Sequence, residues 1–329
     1  MEFRAFDDQK KVSVLGLGTW QFGGDWGEVQ PEQAFAILQA ALDGGVNFVD
    51  TADVYGLGTS ERLIGEFMDS YSGPRPMVAT KIGRFPQPGW PGNFEPSTMR
   101  KHIEASCERL RCQSLDLVQL HCIPTEELQK GVVFDQLRQL KSEGLIQRFG
   151  VSIESVHEGL LCLSQEGLAS LQVIMNLFRQ ESLAELLPQA QAKGVAVIVR
   201  LPLASGLLSG TMTRDRVFLE TDHRHYNRDG AAFNVGETFA GLPFDKALEL
   251  VEELKTMVPS AEPLSALALR WCADTPGVTT VIPGATKLAQ VRANREALRA
   301  TSFSKAQRQQ LFAFYQNQVR PHIRGPVES

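Results

Sequence analysis

The sequence VNFVDTADVYGLGTSERLIG at Val46–Gly65 predicts a short buried strand, a polar loop and the start of a helix. The strand is predicted from the apolar residues Val46, Phe48 and Val49, and Asp50 and Tyr55 follow at its carboxyl end. A phenol has an ordinary pKa of about 10 and is therefore a poor proton donor at neutral pH. If Tyr55 donates a proton, a cation or a buried hydrogen-bond partner must lie beside it.

Two later segments supply such partners at the ends of apolar strands. Lys81 follows the strand predicted from Met77 to Thr80, and His121 follows the strand predicted from Leu117 to Leu120. Polar residues at the ends of successive strands converge only if those strands run parallel in one sheet or barrel. The spacing therefore predicts that Asp50, Tyr55, Lys81 and His121 meet at one edge.

The rest of the chain continues the alternation of strand and helix. From Ser13 onward we count eight predicted strands separated by helical segments, with no Pro/Gly/Ser-rich linker between them. This count favours an α/β fold of the (β/α)8 TIM-barrel type in one domain, residues 1–329, over an open doubly wound sheet. The glycines of GLGTWQFGG lack the G-x-G-x-x-G spacing of a Rossmann dinucleotide site. A β-hairpin is predicted before the first core strand, and an extra helix at Ser304–Val319.

Composition is that of an ordinary globular protein. The chain has 329 residues, 43% of them hydrophobic, and a formal net charge of −5, which argues against a general nucleic-acid or membrane-surface role. No segment resembles a targeting sequence or a membrane span. Five scattered cysteines without zinc-like spacing predict free thiols and a cytoplasmic location.

Two long insertions follow predicted strands, at Gly83–Pro96 and at Leu203–Gly241. Long loops in compact domains are usually functional, and both lie on the carboxyl face, so we expect them to wall the site. The second insertion contains His223-x-His225, but no third strong ligand accompanies it and we predict no metal. Arg224 and Arg228 in the same loop either contact a cofactor pyrophosphate or are simply solvated.

The motif FVDTADVYGLGTSERLIGE, with GLGTW before it and Lys81 and His121 after it, resembles the signature of the aldo-keto reductase family, in its bacterial branch. The resemblance covers essentially the whole chain and implies a catalytic tetrad of Asp50, Tyr55, Lys81 and His121. Tyr55 would donate the proton, Lys81 held by Asp50 would lower the pKa of Tyr55, and His121 would orient the carbonyl oxygen. Any one of these four residues could by itself have an ordinary structural role. All four in this order, at the ends of successive strands, indicate a catalytic role.

The resemblance also implies binding residues. For the cofactor these are Gly18, Thr19, Trp20, Asp50, Ser152, Gln172, Arg200, Pro202, Leu203, Ser205, Gly284, Thr286, Lys287, Gln290 and Asn294. For the substrate they are Trp20, Trp26, Tyr55, Phe85 and His121. Ile153 replaces the usual Asn, which removes one carboxamide contact. Arg200 stands where many relatives place an aromatic ring, so we expect either stacking on the nicotinamide, which would disfavour the oxidised form, or a salt-bridged strand end.

The stretch from Ile282 to Asn294 predicts a turn leading into a helix N-terminus, where backbone N–H groups favour an anion. The 2′-phosphate site of the family falls here, and no acidic residue between Pro283 and Asn294 is available to bind a free ribose diol. We therefore predict NADP(H), with NAD(H) possible. The expected function is reduction of aldehydes or ketones, sugars included. The alternatives are oxidation of an alcohol or sugar and a slow cofactor-sensing subunit. The sequence indicates no other partner and leaves the oligomeric state open.

Overall fold

Eight parallel strands form a barrel in chain order, as predicted. The computed structural model describes residues 1–326, so residues 327–329 of the predicted domain lie outside the described part. The barrel strands are β3 (Leu17–Gly18), β4 (Phe48–Asp50), β5 (Met77–Ile82), β6 (Leu117–His121), β7 (Phe149–Ser152), β8 (Leu168–Ile174), β9 (Ala196–Arg200) and β10 (Thr280–Val281). Parallel bridges from Leu15 to Val281 and from Gly18 to Gly284 close the barrel.

The predicted hairpin consists of β1 (Phe3–Ala5) and β2 (Lys11–Ser13), which pair antiparallel. It covers the amino-terminal end of the barrel. Phe6 and Val12 pack into a buried cluster with Phe48, Leu117 and other inward-facing strand residues. The larger core cluster lies between the strands and the surrounding helices. Apolar packing thus fills much of the amino-terminal half of the barrel.

The helices are α1 (Pro31–Asp43), α2 (Thr59–Ser70), α3 (Pro96–Leu110), α4 (Thr125–Lys130), α5 (Val132–Ser142), α6 (Val156–Cys162), α7 (Leu186–Ala192), α8 (His223–Tyr226), α9 (Phe244–Met257), α10 (Leu264–Ala273), α11 (Leu288–Glu296) and α12 (Lys305–Phe314). Pro31 and Pro96 occupy first helical positions, where a missing N–H costs nothing. The tail helix begins at a capping box of Ser304 and Gln307 and continues as a π-helix over Tyr315–Val319.

Strand register determines where the polar residues lie along the barrel axis. Gly18 pairs with Asp50, and Asp50 pairs with Ala79. His121 pairs with Ser152, which in turn pairs with Gln172. The predicted site residues on these strands therefore lie at the carboxyl end of the barrel. No helix within residues 1–326 is both long and apolar enough to cross a membrane.

Candidate active site

Asp50, Tyr55 and Lys81 meet inside the carboxyl end of the barrel. Lys81 Nζ donates to Asp50 Oδ1 at 2.6 Å, to the Thr51 carbonyl at 2.8 Å and to the Tyr55 hydroxyl at 3.2 Å. The Lys81 side chain is fully buried. A buried ammonium is tolerated only when it is paired and hydrogen-bonded, and here all three donor positions are used. The ammonium is thus held in a fixed position against the phenol.

The carboxylate that holds Lys81 is itself held in place. Gln172 Nε2 donates to Asp50 Oδ2 at 2.7 Å, and Gln119 Nε2 donates to the same atom at 3.3 Å. Lys81 comes from β5, Gln119 from β6 and Gln172 from β8, so three strands fix one carboxylate. Gln119 was not among the predicted site residues. Its position two residues before His121 on an otherwise apolar strand was the signal that could have identified it.

The pKa of Tyr55 differs from the expectation. Burial raises the pKa of Tyr55 to about 12, and the opposing attraction of the Lys81 ammonium does not offset that desolvation. The predicted lowering by Lys81 is present, but it is smaller than the effect of burial. Tyr55 therefore keeps its proton at neutral pH and offers an O–H donor that Lys81 polarises.

His121 lies beside the phenol on the next strand but one. Its ring centroid is 5.8 Å from that of Tyr55, with the two planes nearly perpendicular. Burial, with the nearby cations Arg84, Lys81 and Arg200, holds the pKa of His121 well below its ordinary value of 6.5. The imidazole is therefore neutral at physiological pH and carries one N–H donor. A neutral imidazole can hydrogen-bond a carbonyl oxygen without supplying a second proton.

A cleft of about 360 Å³ extends from this cluster toward the start of α11. Its wall contains most of the predicted cofactor residues, namely Gly18, Thr19, Trp20, Asp50, Gln172, Arg200, Pro202, Leu203, Ser205, Gly284, Thr286, Lys287 and Gln290. Two predicted residues lie outside this wall. Ser152 is buried and accepts a contact from Cys122 Sγ at 3.6 Å. Asn294 borders a separate small cavity between α1 and α11.

The wall of the cleft also contains cations that the family pattern did not identify. Arg216 and Arg224, both from the second insertion, line it with Lys287. Arg224 pairs with Asp222 at 2.6 Å and lies over the Trp26 ring, 4.7 Å from the centroid. Arg228, which like Arg224 was expected either to contact a cofactor pyrophosphate or to be solvated, is not in the wall and packs over Phe244. Of the two arginines, only Arg224 is placed to reach a ligand in the cleft.

A second, larger cavity of about 950 Å³ opens on the other side of Tyr55 and His121. Both insertions wall it, as expected, through Phe85 and Trp90 from the first and Phe233 from the second. Of the residues predicted to bind substrate, it is lined by Trp20, Tyr55, Phe85 and His121. Trp26 does not line it, because its ring packs edge-on against Trp20 at 5.5 Å and faces the cleft instead. The two cavities share an edge lined by Trp20, Tyr55, His121 and Glu237.

His223 is a buried structural residue. Its ring centroid is 4.4 Å from that of Trp26 and 4.5 Å from that of Trp20, and burial lowers its pKa to about 4. A different group among residues 1–326, Cys122, Glu154 and Glu237, brings three potential metal ligands within 4.8 Å of one another. Arg84 pairs with both of those carboxylates, so they already have cationic partners and we assign no metal there.

Arg200 adopts the salt-bridged alternative. Its guanidinium pairs with Glu237 at 3.4 Å and donates to the Ile153 carbonyl at 3.3 Å. It also lines the cleft. The cation is therefore next to the expected nicotinamide position, but a carboxylate from the second insertion balances its charge. Glu237 was not predicted, because nothing in a loop sequence indicates which strand residue the loop will contact.

Comparison with known proteins agrees with this geometry. The family model described as Aldo/keto reductase family matches residues 14–316. "Aldo-keto reductase YhdN" of Bacillus subtilis (strain 168) is 30% identical over 311 residues, which cover 90% of this chain and 88% of the relative. "NADH-specific methylglyoxal reductase" of Escherichia coli (strain K12) is 28% identical over 304 residues, covering 87% and 90% of the two chains.

Solved structures show the same relationship. The holo form of aldo-keto reductase AKR11C1 from Bacillus halodurans aligns with a TM-score of 0.76 and 26% identity, covering 100% of this chain and 98% of that one. An aldo-keto reductase from Klebsiella pneumoniae in complex with NADPH aligns with a TM-score of 0.68 and 25% identity, covering 94% and 93%. The family match across the barrel, together with the buried Asp, Tyr, Lys and His cluster, leads to one conclusion: this chain belongs to the aldo/keto reductase family.

Proposed function

We propose that the protein is an NADPH-dependent oxidoreductase that reduces aldehydes or ketones to alcohols, with Tyr55 as the proton donor. The observation that carries the proposal is the Lys81 ammonium, which joins the Asp50 carboxylate to the Tyr55 hydroxyl where the two cavities meet. A bound reduced nicotinamide would supply the hydride to a carbonyl carbon in the larger cavity. The remaining chemistry falls to side chains of this chain.

The side chains of the site suit the step that follows hydride transfer, in which the carbonyl oxygen is stabilised and protonated. A carbonyl oxygen that gains negative charge needs a hydrogen-bond donor and then a proton. His121, which is neutral, offers its N–H as the donor, and Tyr55 offers the proton. The phenolate that remains would lie 3.2 Å from Lys81 Nζ. That ammonium favours the charged phenolate over a neutral phenol, so it assists the transfer as it occurs.

The cleft has the donor set that a phosphorylated dinucleotide needs. Besides Arg200, its wall carries Arg216, Arg224 and Lys287. Lys287 caps the amino end of α11, where helix N–H groups favour anions. Gln290 Oε1 accepts from the Thr286 N–H at 2.7 Å and the Lys287 N–H at 3.0 Å, which holds this turn in shape. We therefore infer that a 2′-phosphate is held at Thr286 and Lys287.

Oxidation of NADPH and of NADH with a panel of aromatic, aliphatic and sugar aldehydes tests both the reaction and the cofactor. We expect turnover with NADPH, and Lys287→Ala should raise KM for NADPH about tenfold while changing KM for NADH little, since it removes one charge-assisted contact. Arg292→Ala is the matched control, because it removes the same charge five residues later, at an exposed position of α11. Equal effects on the two cofactors would favour NADH use. Cofactor binding without any turnover would favour a sensing role.

The pH dependence of reduction follows from the two pKa shifts. His121 stays neutral until well below pH 6.5, and Tyr55, with a pKa raised to about 12, stays protonated until strongly alkaline pH. We expect kcat/KM for reduction to be flat between about pH 6 and 9. His121→Asn should lower the rate without changing that shape. A wild-type profile that falls near pH 6.5, and becomes flat in His121→Asn, would show that the imidazole titrates and would contradict the assignment.

A further inference from the structure

Glu237 lies between the two cavities and lines both. It comes from the second insertion and is 5% exposed. Its Oε1 accepts from Arg84 Nη1 at 3.1 Å, and its Oε2 pairs with Arg200 Nη1 at 3.4 Å. Arg84 lines the larger cavity, whereas Arg200 lines the cleft. The Glu237 carboxylate thus pairs with one guanidinium in the larger cavity and with one in the cleft.

Within residues 1–326, Arg84 has no second carboxylate partner that is as close and as buried as Glu237. Glu154 Oε1 approaches Arg84 Nη2 only to 3.7 Å, and its side chain is 23% exposed against 6% for Glu237. A largely buried guanidinium needs a close counter-charge, because desolvation is costly. Removing the Glu237 charge would therefore leave Arg84 as a cation facing the larger cavity, with only the Glu154 carboxylate, at 3.7 Å, as a partner.

The wall of the larger cavity is otherwise acidic. It contains four carboxylates, Asp25, Glu154, Asp229 and Glu237, and one guanidinium, Arg84. Asp229 pairs with Arg324 at 2.6 Å. The Asp25 carboxylate accepts from neutral donors, the Trp20 indole at 2.9 Å and the Tyr226 hydroxyl at 2.8 Å. Even with Arg200 and Arg324 counted, the carboxylates outnumber the guanidiniums by four to three.

We propose that Glu237 is a specificity residue: by occupying Arg84, it keeps the substrate cavity unfavourable to carboxylate-bearing carbonyl compounds and selects substrates that are uncharged or cationic. A substrate carboxylate entering the cavity must either displace Glu237 from a buried ion pair or remain beside Asp25 and Glu154 without a cation. Both alternatives are unfavourable, because like charges repel and buried charges need partners. The inference rests on the proposed function, in which this cavity holds the substrate.

Calorimetric titration of the NADPH-saturated protein with benzoate and benzamide, which match in size and differ in charge, tests the proposal, because bound cofactor keeps benzoate out of the cationic cleft. Wild type should bind benzoate at least about tenfold more weakly than benzamide, and Glu237→Gln should bring the two affinities within about threefold by strengthening benzoate binding. Glu237→Asp keeps the charge and should keep most of the discrimination. Asp229→Asn removes a carboxylate from the same wall without freeing Arg84, so the ratio should stay near that of wild type.

Two results would overturn the proposal. One is a benzoate affinity unchanged by Glu237→Gln while benzamide binding shows the cavity to be intact. The other is an equal shift in Asp229→Asn, which would mean that overall charge and not Arg84 decides. Turnover of 3-carboxybenzaldehyde and 3-carbamoylbenzaldehyde gives the catalytic counterpart, with the acid gaining about tenfold in kcat/KM in Glu237→Gln. A wild type that reduces neither aldehyde would count against the proposed function, while the calorimetric ratio would still decide the role of Glu237.

Discussion

Replacing Tyr55 with Phe is expected to lower kcat for carbonyl reduction by about 10³-fold, the typical contribution of a positioned acid. The substitution removes one hydroxyl, whose only hydrogen bond from a described side chain comes from Lys81 Nζ at 3.2 Å. The ring itself stacks with Trp20 at 6.0 Å and should stay in place. The developing alkoxide would then lack its proton donor. Stopped-flow oxidation of NADPH, with separate titration of cofactor binding, measures the effect.

Cofactor affinity distinguishes a chemical defect from a structural one. We expect the dissociation constant of NADPH to change by less than about threefold in Tyr55→Phe, because the cleft wall keeps its cations. Tyr71→Phe is the matched control: it removes a phenol from a half-buried ring that stacks on Phe67, far from the cleft. A Tyr55→Phe protein that keeps more than about a tenth of wild-type kcat would mean that another group delivers the proton.

The barrel and the convergence of the four polar residues were predictable because both depend on local sequence pattern. Each strand is a short apolar run, and the chain reaches the same edge every time a parallel strand ends. Asp50, Lys81 and His121 are therefore brought together by register, which the alternation of strand and helix already specifies. Tyr55 follows Asp50 by a short loop, so its position depends on the same strand.

The electrostatics of the site were not predictable, because they depend on burial and on contacts between distant segments. Lys81 was expected to lower the pKa of Tyr55, but the net shift is upward because the phenol is desolvated. Arg200 was correctly placed at the cleft, yet its partner Glu237 comes from a loop whose path the sequence does not specify. Trp26 was expected in the substrate wall and packs behind Trp20 instead. These differences all involve the second insertion or the degree of burial.

Replacing Lys81 with Met should cost about 3–5 kcal/mol of the free energy of unfolding, besides removing activity. The pair of Lys81 and Asp50 is among the most buried ion pairs of the described chain, with side-chain exposures of 0% and 4%. Loss of the ammonium leaves the Asp50 carboxylate with only the amide donors of Gln119 and Gln172. An uncompensated buried charge is far more destabilising than the loss of an attractive contact. Urea-induced unfolding followed by fluorescence and circular dichroism measures the change.

The double variant Lys81→Met/Asp50→Asn distinguishes two causes of lost stability: the Asp50 carboxylate left without a cation, and the lost packing of the Lys81 side chain. The introduced amide cannot ionise and still accepts a hydrogen bond, so we expect the second substitution to recover at least about half of the lost stability while activity stays absent. Lys255→Met is the control for an exposed pair, since Lys255 and Glu252 are 38% and 71% exposed and should contribute at most about 1 kcal/mol. If Lys81→Met alone were as stable as wild type, Asp50 would have to be neutral in the variant. In the double variant, stability is thus expected to recover without activity. The Lys81 ammonium both compensates the Asp50 charge in the fold and polarises Tyr55, and neutralising Asp50 makes only the first of these roles unnecessary.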